Sequence, residues 1–418
     1  MEKMYLCIDL KTFYASVECV ERGFDPFKTN LVVADPSRGK GAICLAITPA
    51  LKNRGIRNRC RIFEIPRNIN YITAMPRMKK YIEYSANIYG IYLKYIDKND
   101  IYVYSIDEAF LDVTNYLKMY NKSAYDLAQD IMRDILNVTG ITATCGIGTN
   151  LYLAKIALDI TAKHVKTNIG YLDEDKYKDK LWHHIPLTDF WRIGRGIERR
   201  LNKLGLYDMY DIACCEESVL YKEFGINARF LIDHSKGIEP VTISEIKAYK
   251  PKSNSISSSQ ILFEDYNYLD AKKVLIEMID CGCLELVRKN MVANRVFFMI
   301  GYSKDNTPAL KISRKLEQPT ASYSAILKIV MDEYDNRVNK KEKIRRLSIG
   351  FGDVILNKYK QLDLFNESSY LDKDVKLEEV MNIIKDKYGK NSILRGVSYD
   401  EKATQRIRNR LIGGHNAG

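Results

Sequence analysis

The chain opens on an apolar run, Met4-Tyr5-Leu6-Cys7-Ile8, that stops at a carboxylate, Asp9. That pattern predicts a buried strand with an acidic end. Residues 12–20 read as a short helix. Residues 31–34 and 42–46 read as strands separated by the turn Asp35-Pro36-Ser37-Arg38-Gly39-Lys40-Gly41. From Pro76 onward Met78, Tyr81, Ile82, Ser85, Ile88, Tyr89 and Tyr92 recur at helical spacing. Two strands, 101–105 and 109–113, are predicted on either side of Asp107-Glu108. A helix over 124–137 follows, with Leu127, Ile131 and Ile135 on one face and Gly140 as its stop. A strand over 141–145 leads to Asn150, which can cap the helix carrying Lys155. This order predicts an α+β domain with antiparallel pairing around an acidic centre, interrupted by an insertion over about 11–75.

Residues 172–240 turn helical, and Trp191-Arg192-Ile193-Gly194-Arg195-Gly196-Ile197 lies between two amphipathic segments. Residues 241–253 read as a linker. Strands at 253–263, 295–302, 310–316 and 346–353, with helices at 272–286 and 321–335, predict a second α+β domain whose helices cover one face of a four-stranded sheet. The remainder, 361–418, reads as a tail. It holds a short apolar peptide, Gln361-Leu362-Asp363-Leu364-Phe365, and a basic stretch, Thr404 to Arg410. The peptide suits docking into another protein's pocket or packing in a core.

Composition sharpens the picture. The 418 residues suggest three or four domains, and 46% of them are hydrophobic. A net charge of +12 points to a polyanionic partner. Nucleic acid is favoured over membrane, because basic residues occur along the whole chain and no run is long enough to span a bilayer. The N-terminus runs directly into a strand pattern, so no secretory leader is expected. Nine cysteines without CxxC spacing, and five unclustered histidines, favour free thiols in a reducing cytoplasm over a zinc site.

The chemistry concentrates in Tyr104-Ser105-Ile106-Asp107-Glu108-Ala109-Phe110-Leu111-Asp112. Adjacent charges at the end of a buried strand need a partner, and a divalent cation is the natural one for clustered carboxylates. If the strands are neighbours, Asp9, Asp107 and Glu108 meet at one sheet edge, which suits two magnesium ions and phosphoryl transfer. A solvated hairpin tip would show the same residues. The Gly194-Arg195-Gly196 turn, with Arg199, Arg200 and Lys203 nearby, could expose N–H groups to a phosphate or be a plain helix–helix turn.

Four passages then carry a resemblance: Cys7 to Glu18, Tyr104 to Asp112, Ile193-Gly194-Arg195-Gly196, and Gln361 to Phe365. In this order and spacing the chain resembles the Y-family DNA polymerases of the bacterial UmuC-type branch. The resemblance implies a right-hand α+β fold: palm (1–10 and 76–171), fingers (11–75), helix-hairpin-helix thumb (172–240), linker (241–253), little finger (254–360) and a tail with a clamp-binding peptide (361–418). It implies that Asp9, Asp107 and Glu108, with the carbonyl of Leu10, hold two magnesium ions. It makes Tyr14 the steric gate against a ribose 2′-hydroxyl, with Phe13 beside it. Where the family often shows Tyr-x-x-Arg, this chain has Thr48-Pro49-Ala50-Leu51-Lys52, so Thr48 and Lys52 become nucleotide-binding candidates. Lysine supplies a point charge there in place of a fork. Lys163, preceded by one extra residue, is the second phosphate candidate. Gly194, Arg195 and Gly196 would hold DNA, and Gln361 to Phe365 would hold the sliding clamp.

The implied activity is low-fidelity, DNA-templated DNA synthesis for translesion bypass and SOS damage tolerance. The implied substrates are primer-template DNA and deoxynucleoside triphosphates, and the expected form is a monomeric catalytic subunit in the cytoplasm. No second acidic cluster suggests a proofreading exonuclease. A nucleotidyl cyclase shares such a palm but needs no duplex. A non-catalytic DNA- or clamp-binding protein needs no intact Asp9, Asp107 and Glu108.

Overall fold

A computed structural model describes residues 3–251, 254–304, 307–358 and 368–418. They form two compact units, one ending at Tyr249 and one spanning Lys250–Ala417. The peptide Gln361 to Phe365 lies outside the described residues.

The first unit is built on β1 (Tyr5–Leu10), whose residues Tyr5 to Ile8 are buried on both faces. It is followed by α1 (Phe13–Val20) and by the insertion: β2 (Leu31–Val33), β3 (Ala46–Ile47), α2 (Pro49–Lys52) and β4 (Ile72–Ala74). Then come α3 (Met78–Tyr92), β5 (Ile101–Val103), β6 (Glu108–Asp112), α4 (Thr114–Tyr120), α5 (Ala124–Thr139), β7 (Ala143–Gly148), α6 (Leu151–Ile156) and β8 (Ile169–Leu172). Among the described residues the central sheet runs β5-β6-β1-β7-β8. It is antiparallel except for the β7–β8 pair.

Alternation along β1 divides the layers. Tyr5 and Cys7 pack with Phe110, Leu151, Ala154 and Leu158, on the side covered by α6. Glycines permit that approach. A Cβ on Gly146 would lie 2.1 Å from the Ala154 carbonyl oxygen, and one on Gly148 would lie 2.2 Å from the Ala154 nitrogen.

The insertion carries its own small sheet, β3-β2-β4, over a core of Val32, Cys44, Ile47, Leu51 and Cys60. The strand expected over 42–46 starts only at Ala46, because the Cys44 N–H donates to the Cys60 carbonyl at 2.8 Å.

Beyond β8 the unit is helical: α7 (Glu174–Leu181), α8 (Arg195–Lys203), α9 (Met209–Cys214), α10 (Glu217–Phe224), α11 (Ala228–Ser235) and α12 (Ile243–Ala248). The last of these corrects the expected linker. Thr242 and Glu245 form a reciprocal capping box, and Ile243 is buried against the Tyr5 and Phe110 cluster.

In the second unit β9 (Ile256–Tyr266), α13 (Tyr268–Arg288), β10 (Met291–Tyr302), β11 (Leu310–Thr320), α14 (Tyr323–Arg337) and β12 (Ile344–Gly352) give a sheet of order β11-β10-β12-β9. Val296, Phe298, Ile300, Leu347, Ile349 and Phe351 face the helices. By alternation Arg295, Lys311, Lys315 and Arg346 fall on the other face.

The expected tail is in part an ordered layer of this unit. A helix spans Ser368–Tyr388 and packs on α13 and α14. It buries Met381, and polar contacts add to the packing of this layer. Asp374 accepts from the Ser322 hydroxyl at 2.6 Å and the Ser324 N–H at 2.8 Å. Arg395 pairs with Asp280 and Glu378 and lies 3.5 Å from the Tyr323 ring centroid. Glu277 accepts the Thr404 N–H at 2.8 Å. Even the terminal basic stretch turns inward, with Arg408 donating to Gln260 at 2.6 Å. Among the described residues no helix is long and apolar enough to cross a membrane.

Candidate active site

The register of β1 against β6 sets Asp9 directly opposite Glu108, and directly opposed residues share a face. Asp107 precedes β6. Its carbonyl accepts the Leu10 N–H at 2.9 Å, and its carboxylate accepts from the Ser105 hydroxyl at 2.6 Å. Asp9, Asp107 and Glu108 therefore arrive at one end of the central strands.

Their side chains have different surroundings. Glu108 accepts from Lys155 Nζ at 2.9 Å and from the Cys7 thiol at 3.4 Å. Lys155 is buried and also pairs with Asp159 at 3.0 Å. Burial alone would depress its ammonium, but Cys7, Asp159 and Glu108 together hold it above its ordinary value. Burial, followed by the charge of Asp107, pushes the Asp9 carboxyl up to about 7, while Lys163 opposes the rise.

Among the described residues no three His, Cys, Asp or Glu side chains close into a metal cage. Glu108 is drawn toward Lys155, so Asp107 is the stronger repeller of Asp9 and Glu108 the weaker. Hard divalent cations take carboxylate and carbonyl oxygens, so these residues fit one, with Glu108 a further donor of the same chemistry.

Lysines collect beside the carboxylates. Burial lowers the Lys52 ammonium; Asp9 counters this, and the like charges of Lys163 and Lys11 add to it. Lys163 Nζ contacts Asp159 at 2.9 Å, and Lys11 is hydrogen-bonded to Asn168. Just before Lys163, α6 runs into a π-helical turn, Ala157–Thr161. Clustered cations next to acidic groups are an arrangement that a polyphosphate bound to a divalent cation would satisfy.

The strand passes into α1 through Thr12, at φ 48, an unusual backbone for a β-branched residue. This tight turn puts Tyr14 just beyond Asp9. Tyr14 is partly exposed and stacks on Tyr81 with centroids 4.5 Å apart. Two nucleotide-binding candidates do not line open space. Phe13 is 2% exposed, and Thr48 is fully buried with its hydroxyl accepting the Leu31 N–H at 3.1 Å. Both serve the core, because they point to the packed side of their helix and loop.

Sequence reasoning missed Lys155, Tyr81, Lys11 and Arg59. Arg59 holds a left-handed φ of 58, and its charge acts on the Tyr14 hydroxyl. Lys155 could have been suspected, since it stands five residues after the capping Asn150 on a short helix whose every residue is buried against the sheet.

Further along, Gly194 precedes α8, and Gly194, Arg195 and Gly196 are exposed. A Cβ on either glycine would meet nothing within 4 Å. The preceding Trp191 donates to the Tyr104 hydroxyl at 3.1 Å, tying this turn to the strand end that carries Asp107.

Two family descriptions match: impB/mucB/samB family over residues 8–159, and impB/mucB/samB family C-terminal domain over 253–364. A Bacillus subtilis (strain 168) protein named for UV-damage repair, UvrX, is 33% identical over 99% of this chain and 97% of its own length. DNA polymerase IV 2 of the same organism is 29% identical, covering 99% of each chain. A solved Y-family DNA polymerase chimera, Dbh-Dpo4(243-245)-Dbh, superposes with a TM-score of 0.65 at 25% identity, covering 85% of this chain and all of that one. With both parts matched in order and a relative aligned along almost its full length, the chain belongs to the impB/mucB/samB family of Y-family DNA polymerases and has their right-hand α+β fold of palm, fingers, helical thumb and little finger.

Proposed function

We infer that this chain is a DNA-templated DNA polymerase that adds deoxynucleotides to a primer 3′ end, at low fidelity and past damaged template bases. The observation that carries the reading is the pairing of Asp9 and Asp107 beside Lys11, Lys52 and Lys163. Two magnesium ions held by Asp9, Asp107, Glu108 and the Leu10 carbonyl would activate the primer hydroxyl and neutralise the departing pyrophosphate. Lys52 and Lys163 then hold the triphosphate as point charges, with Lys11 beside them. Domain bounds follow the sequence reading, with two revisions: residues 243–248 stay with the first unit, and residues 368–417 with the second.

Tyr14 limits the sugar. Its ring occupies the space that a 2′-hydroxyl would need, and the stack on Tyr81 stops it from swinging away. Tyr14→Ala is expected to raise ribonucleotide insertion relative to deoxyribonucleotide by roughly ten- to a hundredfold. Single-nucleotide kinetics with each sugar check this, and an unchanged ratio rules out the gate.

Duplex binding would use backbone phosphates. The open Gly194-Arg195-Gly196 turn at the head of α8 and the basic sheet face of the second unit supply the contacts. Affinity for primer-template DNA should fall steeply with salt as counterions are released, and a flat response contradicts this mode.

Gln361 to Phe365 would tether the enzyme to the sliding clamp, raising its effective concentration at the primer end. Changing Leu364 and Phe365 to Ala should lower clamp-stimulated synthesis while clamp-free addition persists. A full response to clamp would exclude this tether. The enzyme is read as a monomer working in a reducing cytoplasm.

Primer extension on a templated duplex, with and without divalent metal, tests the function directly.

A further inference from the structure

Behind Tyr14 lies a buried polar assembly that neither the metal site nor the phosphate site uses. The Glu18 carboxylate, on α1, has a side-chain exposure of 0%. Arg77 approaches it through two nitrogens, each 3.0 Å from an oxygen, and Arg22, in the turn just after α1, pairs with it as well. The remaining contact is the Tyr81 hydroxyl, which donates to Glu18 at 2.8 Å. Tyr81 is itself fully buried on α3, and its ring lies 4.5 Å from that of Tyr14 at an interplanar angle of 19°. Glu18 is one helical turn beyond Tyr14, so the two residues share a face of α1.

A buried carboxylate requires partners, yet Arg77 and Arg22 already supply charge and hydrogen bonds. The phenol adds orientation. A tyrosine ring can tilt in a pocket, whereas one pinned at its hydroxyl keeps the plane against which Tyr14 stacks. We propose that Glu18 and Tyr81 are positioning residues for sugar selection: the Glu18–Tyr81 hydrogen bond fixes the ring that holds Tyr14 beneath the incoming sugar. This rests on Tyr14 being the gate.

Two hydroxyl deletions on the same helix separate this role from general bracing. Tyr81→Phe removes the hydrogen bond to Glu18 and keeps the ring. Tyr84→Phe removes a similar bond, from Tyr84 to Glu21 at the C-terminal cap of α1 at 2.8 Å, from a more solvent-exposed pair. The measurement is kcat/KM for one deoxynucleotide and the matching ribonucleotide, using the full chain on primer-template DNA, with Tyr14→Ala alongside. The expected result is a loss of sugar discrimination of roughly three- to tenfold in Tyr81→Phe, from the loss of a hydrogen bond to a charged group. It should come from faster ribonucleotide insertion with deoxynucleotide kcat kept, and Tyr84→Phe should match the unaltered protein. Equal losses for both sugars, or equal effects of Tyr81→Phe and Tyr84→Phe, would overturn the proposal as mere bracing. Unchanged discrimination in Tyr81→Phe with altered discrimination in Tyr14→Ala would overturn it while sparing the gate. No change in Tyr14→Ala would remove the gate and this proposal together.

Discussion

Replacing Asp9 or Asp107 with Ala is expected to abolish nucleotide addition while leaving primer-template binding nearly intact. On the proposed reading each removes a carboxylate that would hold the divalent metal neutralising the negative charge of phosphoryl transfer. Losses of a hundredfold to a thousandfold or more follow when a preorganised electrostatic group is deleted. DNA affinity should hold, because the basic turn before α8 and the sheet of the second unit are untouched.

Stability offers an independent readout of the same site. Asp9 has its carboxyl pushed up to about 7 by burial and by Asp107. A raised carboxyl favours the protonated form in the folded state, so its ionisation opposes folding as pH rises above the ordinary value near 3.8. Asp9→Asn should therefore remove that penalty and raise the melting temperature by a few degrees at neutral pH without divalent metal. A variant that is more stable yet inactive marks a site strained for function. One that is less stable, or still active, contradicts the assignment.

Gly146→Ala is expected to destabilise the protein by roughly 1–3 kcal/mol or more, the cost of overpacking a tight core. The added Cβ would meet the Ala154 carbonyl oxygen at 2.1 Å and the Leu158 nitrogen at 2.2 Å. Both are backbone atoms, so no side chain can rotate away, and α6 must lift from β7. That helix carries Lys155 and leads into the turn before Lys163, so activity should fall with stability. Gly194→Ala and Gly196→Ala form the contrast. Neither Cβ meets anything within 4 Å. They should leave the melting temperature nearly unchanged and weaken DNA binding, because the space they fill is open to a ligand. Thermal unfolding and DNA titration of the three variants check the pair of claims. A Gly146→Ala protein as stable as the parent would refute the packing argument.

Much of this was legible in the sequence where burial is apolar and periodic. The run Tyr5 to Ile8, the strand after Glu108 and the face Leu127, Ile131 and Ile135 announce themselves, and the register of Asp9 against Glu108 follows once β1 and β6 pair. The segments that escaped are held by polar contacts. Residues 368–417 looked like a tail because Asp374, Glu378 and Arg395 bind through charges and hydrogen bonds, which leave no hydrophobic period. The Thr242 to Glu245 capping box was readable, but the lysines and proline that follow suggested a linker. Within the site, residue type suggested partners and could not reveal orientation. Thr48 and Phe13 lie close to the right place in the chain and face the core. Glu108 is a carboxylate whose nearest cation is Lys155, a contact 47 residues away in sequence. The π-turn that precedes Lys163 has no compositional mark.

The most direct test is templated single-nucleotide insertion by the full chain on an undamaged primer-template with magnesium. The prediction is addition of the complementary deoxynucleotide with release of pyrophosphate, lost on chelation of the metal and lost in Asp107→Ala. Failure to add any nucleotide, or addition that ignores the template or survives the loss of Asp107, would contradict the account.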